Sequence, residues 1–159
     1  MIIKSGSQLL VLRYKGYKNH SFIMEHNALI SESGGVWMFK IGKPIPEASI
    51  EKTVAANGVL LLRSPKSEGG QLYICKCNKI YTGRAKSDFC YPRYYSEMWD
   101  DYYWLSEEGT WFYITSIELL EQKHIDCLRL VKNGKSLLQV LNETRTVYLY
   151  VTNSEDIIA

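Results

Sequence analysis

Seven aromatic side chains, Tyr91, Tyr94, Tyr95, Trp99, Tyr102, Tyr103 and Trp104, fall within fourteen residues, with Arg84 and Lys86 just before them and Arg93 among them. That mixture suits a nucleic acid. Cations neutralise phosphates, and aromatic faces stack on unpaired or flipped bases at about 1–3 kcal/mol per base. The same residues equally suit a loop that folds back and closes a core with its rings. The surrounding charge is segregated. Arg63, Lys66, Lys76, Lys79, Arg84, Lys86 and Arg93 stand against Glu68 and Asp88, a net of +5 over 63–93. Residues 94–126 hold eight acids and one base, Lys123, a net of −7. The total of +2 hides this contrast. A solvated surface and a phosphate-binding face both fit it.

No strong catalytic set accompanies this stretch. There is no G-x-S-x-G, phosphate-binding loop, dinucleotide fingerprint or H-E-x-x-H. His20, His26 and His124 are scattered. Cys127 with His124 is an example of a nucleophile pair at close spacing, and an ordinary helical pair is the far commoner meaning of such spacing. The acid pairs Asp100-Asp101 and Glu107-Glu108 permit acid–base or cation chemistry, but adjacent acids in loops are mostly just solvated. Cys75, Cys77, Cys90 and Cys127 lack the paired C-x-x-C spacing of zinc sites, and a core-forming domain with no export signal argues for free thiols over disulfides.

The elements that must position these residues are mostly strands. The chain of 159 residues has the size of one domain, long enough to bury roughly 70% of its unfolded surface. Strands are expected at Gln8–Tyr14, Val36–Ile41, Val59–Arg63, Gln71–Cys77, Asn78–Gly83 after a bend, Trp111–Leu120 and Thr146–Val151. Val59–Arg63 is continuously apolar, as a strand buried on both faces should be. His20–Met24 is expected to pair with Gln8–Tyr14 across Lys15-Gly16-Tyr17. Ala48–Ala56 reads as a short helix stopped by Asn57-Gly58. Cys127–Val131, Ser136–Leu141 and Thr152–Ile158 read as helical turns, and 84–104 as a long irregular loop. The start has no signal-peptide pattern and no stretch is long enough to span a bilayer, so a cytoplasmic protein without a membrane role is expected. The fold class is α+β, a curled mixed sheet or small β-barrel with short flanking helices.

The order of these segments resembles the PUA-like superfamily, especially its EVE and YTH branch and the EVE-like specificity domains of modification-dependent restriction systems. The likeness covers about residues 33–158. It rests on SGGVWMFKIGK, NGVLLLRSP, GGQLYICKCNKIYTGRA, YPRYYSEMW followed by GTWFYITSIELL, and LLQVLNETRTVYLYVTNSEDI. Gly58-Val59 stands where that branch usually has Gly-Asp.

The resemblance implies one domain over 1–159, with a PUA-like barrel over 31–159 and an added hairpin over 1–30. It implies a pocket that accepts one base, often modified. Ser33, Gly34, Trp37, Ser64, Tyr91, Trp99 and Trp104 would line that pocket, and Arg63, Arg84, Lys86 and Arg93 would hold phosphates. The expected partner is nucleic acid, DNA ahead of RNA, read without catalysis, cofactor or metal, within a larger defence or restriction assembly. The alternatives are an RNA-processing enzyme of the PUA-like kind and a protein-interaction module using the aromatic loop.

Overall fold

The computed structural model describes residues 2–40, 44–102, 107–143 and 148–158. The elements in order are β1 (Ile2–Ile3), β2 (Gln8–Arg13), α1 (Phe22–Ser33), β3 (Val36–Lys40), α2 (Glu47–Ala55) and β4 (Val59–Arg63). They continue with β5 (Leu72–Arg84), α3 (Tyr94–Asp101), β6 (Glu108–Leu119), α4 (Gln122–Ile125), β7 (Leu128–Leu130), α5 (Leu137–Glu143), β8 (Tyr148–Asn153) and β9 (Ile157–Ile158). The protein is α+β. Seven strands form one mixed sheet in the order β3-β6-β5-β4-β2-β8-β7, and β1 pairs with β9. Among the described residues β2 and β4 are the parallel neighbours, with Arg13 level with Arg63.

The sheet is open and not a barrel among the described residues. Both of its edges are met by irregular backbone. The Trp37 N–H on β3 donates to the Cys90 carbonyl (2.8 Å), and the Leu130 N–H on β7 donates to the Lys135 carbonyl (2.9 Å). Edge groups satisfied in this way need no closing strand.

The all-buried pattern of β4 follows from its central place. Val59 and Leu61 pack into one core with α4 and α5, while Leu60 and Leu62 pack into a second with α1. The expected hairpin at residues 1–30 is replaced by α1. Strand β2 already has β4 on one side and β8 on the other, so no edge is left for His20–Met24. Phe22, His26 and Ile30 fall at helical spacing, and Phe22 and His26 are buried. The Ser21 hydroxyl caps the helix start, and Gly34, at φ 82°, ends it with its N–H on the Ile30 carbonyl (2.8 Å).

Three further expectations are corrected. The 84–104 stretch contains α3, which buries Tyr94, Tyr95 and Met98 on one face. Cys127–Val131 holds β7 in place of a helical turn, because Leu128 and Leu130 point inward and pair with β8. Thr152–Ile158 is extended, closing on β1 through β9. The bend expected between Cys77 and Asn78 is a bulge in one long strand, with register shifts between Lys76 and Lys79. No described helix is long and apolar enough to cross a membrane.

Gly58 fixes that bulge. Its φ is +70°, its carbonyl accepts the Cys77 N–H (2.6 Å), and a Cβ there would overlap the Cys77 carbonyl oxygen. Gly58→Ala is expected to lower unfolding free energy in urea by more than about 2 kcal/mol, beyond the ~1–2 kcal/mol of a left-handed alanine alone. A loss under about 1 kcal/mol would mean that the bulge yields.

Candidate functional site

Most of the clustered rings belong to a third, aromatic core on the outer side of β3, β6 and the far half of β5. Tyr17, Phe39, Tyr94, Tyr95, Met98 and Trp111 are buried there. Trp111 is 0% exposed, and its indole N–H donates to the Glu107 carbonyl (2.9 Å). The Tyr95 hydroxyl accepts the Phe39 N–H (3.3 Å) and donates to His26 Nε2 (2.6 Å), while His26 Nδ1–H donates to the Phe22 carbonyl (2.7 Å). Burial holds the His26 pKa down at about 4, so the ring is neutral and can accept at Nε2.

Other rings stay half-buried. Trp37 stacks face to face on Phe89 (centroids 3.9 Å, 9°), with Tyr113 at 5.2 Å and the edge of Tyr81 against Phe89 at 5.4 Å. Register places Trp37, Tyr113 and Lys79 in one row across β3, β6 and β5. The Lys79 ammonium lies 5.7 Å from the Tyr113 centroid, and that of Lys86 5.1 Å from Tyr81. Gly35 sits so close over Tyr113 that any Cβ would overlap the ring. Trp99 meets Tyr91 (5.5 Å), Phe39 (6.0 Å) and Trp111 (6.1 Å) largely edge to face. Its Nε1 is enclosed and has no acceptor.

The remaining sequence-derived candidates are spread out. Ser33 and Gly34 are exposed at the end of α1, close in sequence to the Trp37 row. Tyr91 is half-buried and stacks on Tyr95 at 5.6 Å. Ser64 is fully buried; its hydroxyl accepts the Gln71 N–H (2.7 Å) and donates to the Glu68 carbonyl (3.5 Å), which ties it into the turn between β4 and β5. Lys86 and Arg93 are exposed. Arg84 pairs with Glu107 (2.7 Å), so its charge is balanced. Arg63 ends β4, level with Leu72 at the start of β5, and is 4% exposed. Trp104 lies outside the described residues. Sequence reasoning singled out neither Tyr81, Phe89 nor Tyr113. The alternation Lys79-Ile80-Tyr81 against Trp111-Phe112-Tyr113 carried the signal for two of them.

The weighed catalytic sets do not assemble. The Cys127 thiol donates to the His124 carbonyl (2.9 Å), and the His124 ring donates from Nε2 to the Ile158 carbonyl (3.2 Å). Asp101 accepts from the Tyr17 hydroxyl and from Lys18 (3.0 Å). Those two contacts depress its pKa, opposite to what a general acid needs. No group of three metal-ligating side chains occurs among the described residues. All four cysteines are free, and burial pushes the Cys77 thiol up to about 12, which leaves it unreactive.

A cleft of about 590 Å³ opens where β2 and β4 end, lined by Lys15, Lys18, His20, Pro65, Ser67 and Glu68 among others; it borders the aromatic core, with His20 stacked on Tyr94 (4.8 Å) and the Lys15 ammonium 5.3 Å from the Tyr102 centroid. The chain matches no family model, and no curated protein or solved structure is similar to it.

Proposed function

We propose that the protein is a non-catalytic nucleic-acid reader of the PUA-like, EVE/YTH kind, which takes one unpaired or flipped base against the half-buried rings around Trp99. The observation that carries this reading is the Trp99 indole N–H, enclosed among Tyr91, Phe39 and Trp111 without an acceptor. A buried donor left unmade costs about 1–3 kcal/mol. The edge of a base offers carbonyl and ring-nitrogen acceptors, and the rings offer stacking faces. Lys79, Lys86 and Arg93, all exposed on the same stretch of surface sequence, would meet the phosphates. The resemblance supports DNA ahead of RNA, within a larger restriction-type assembly.

The test is a fluorescence-polarisation titration with short DNA and RNA probes, unmodified or carrying methylated cytosine or adenine, at two salt concentrations. Salt-sensitive binding that prefers one modified probe is the expected result. Trp99→Phe keeps a ring and removes the donor. It is expected to weaken binding about tenfold while leaving the melting temperature unchanged or raised. Wild-type affinity in Trp99→Phe would remove Trp99 from the base site. A protein complex insensitive to salt, with no affinity for any probe, would replace the reader with an interaction module.

A further inference from the structure

Arg63 is a buried guanidinium without an anion. It is 4% exposed, its Nε is enclosed with no acceptor, and among the described residues no carboxylate pairs with it. Arginine does not shed its charge to escape such a place. Burying an ion without a partner costs several kcal/mol, so an unpaired buried guanidinium calls for an anion from outside. The nearest charged neighbour is a second cation. Arg13 stands level with Arg63 on the parallel neighbour strand, so both side chains leave the sheet on one face. Burial first, and Arg13 second, make the charged form of Arg63 less favourable than usual. Two residues beyond each arginine, Lys15 and Pro65 line the cleft, which also holds the Glu68 carboxylate; Lys15 is exposed, and Lys66 lies exposed on the adjoining turn.

We infer that Arg63, with Arg13 beside it, forms a phosphate-binding site at the carboxyl ends of β2 and β4, distinct from the rings around Trp99. A phosphate oxyanion matches the forked donors of guanidinium groups better than a halide does. The phosphate belongs either to a free phosphate or nucleotide, or to a nucleic-acid backbone. The site stands on the unpaired arginine and does not require a base to be read at Trp99.

The experiment measures thermal stability of the full chain against millimolar inorganic phosphate, a nucleoside 5′-monophosphate and a short 5′-phosphorylated oligonucleotide. Sodium chloride and sulfate at matched ionic strength serve as controls. Phosphate is expected to raise the melting temperature with saturation, beyond chloride. Arg63→Met removes the buried charge and is expected to fold at least as stably as the parent without phosphate. Its phosphate affinity should fall by at least about tenfold. Arg63→Lys, which keeps charge but not the fork, should fall between them. A response confined to the small phosphates assigns the site to a free ligand. A larger response to the oligonucleotide, also lost in Arg63→Met, assigns it to a backbone. Equal shifts with chloride and phosphate, or a phosphate shift that survives in Arg63→Met, would overturn the site. Oligonucleotide binding unchanged in Arg63→Met but lost in Trp99→Phe would overturn it while leaving the reader standing.

Discussion

Trp111→Ala is expected to cost about 3–5 kcal/mol of unfolding free energy, the range for removing a fully buried large aromatic. Trp111 is 0% exposed and central to the aromatic core. Its ring lies 4.8 Å from Phe39, 5.4 Å from Tyr91, 5.7 Å from Phe89 and 6.1 Å from Tyr95. Alanine would leave a cavity that α3 cannot fill without breaking its own contacts. It would also strip the Glu107 carbonyl of its donor. Urea unfolding followed by circular dichroism measures the loss. Trp99→Ala, at a half-buried ring whose N–H gains nothing in the folded state, should cost less than half as much. Equal losses would make both rings core and leave no ring at Trp99 for a base.

The second large effect is a loss of stability on mild acidification, centred on His26. In the folded state this ring titrates at about 4, against about 6.5 when unfolded. Between those values the unfolded chain binds a proton that the folded chain refuses. Stability is therefore fully present above pH 6.5 and falls as pH drops toward 4. The full span is worth about 3 kcal/mol, of which about 2 kcal/mol is gone by pH 5. The cause is local. Protonating Nε2 would turn the acceptor of the Tyr95 hydroxyl into a second donor, inside a 0% exposed site. Urea midpoints from pH 7 to pH 5 should show this slope in the parent and a flatter one in His26→Gln. Parallel slopes would place the acid sensitivity elsewhere.

His26 ties the first forty residues to the aromatic stretch, through Tyr95 to the Phe39 backbone. This link had no trace in local sequence, because its partners stand 69 and 56 positions apart. The aromatic stretch shows the same division. Its composition revealed a dense cluster of rings beside cations. Whether a given ring closed the core or faced outward depended on the phase of α3, whose helical turn puts Tyr94, Tyr95 and Met98 inside and leaves Trp99 half out.

The sequence by itself determined the elements whose signals are local. These are the central strand Val59–Arg63 by its continuous apolar run, the helix ending before Asn57-Gly58, the strand opening at Val36, and the long strand running on from Trp111. Such signals depend on side-chain period and turn chemistry within a few residues. Tertiary structure alone decided the rest. It turned His20–Met24 from a hairpin arm into a helix, because β2 had both edges taken. Of the two expected forms, a curled mixed sheet or a small barrel, it left an open mixed sheet, because irregular backbone met both edge strands. It also set Arg63 beside Arg13 and level with Leu72 at the start of β5, while the Trp37 row crosses β5 at Lys79. Each of these outcomes rests on hydrogen bonds and burial between residues distant in the chain, which no local pattern encodes.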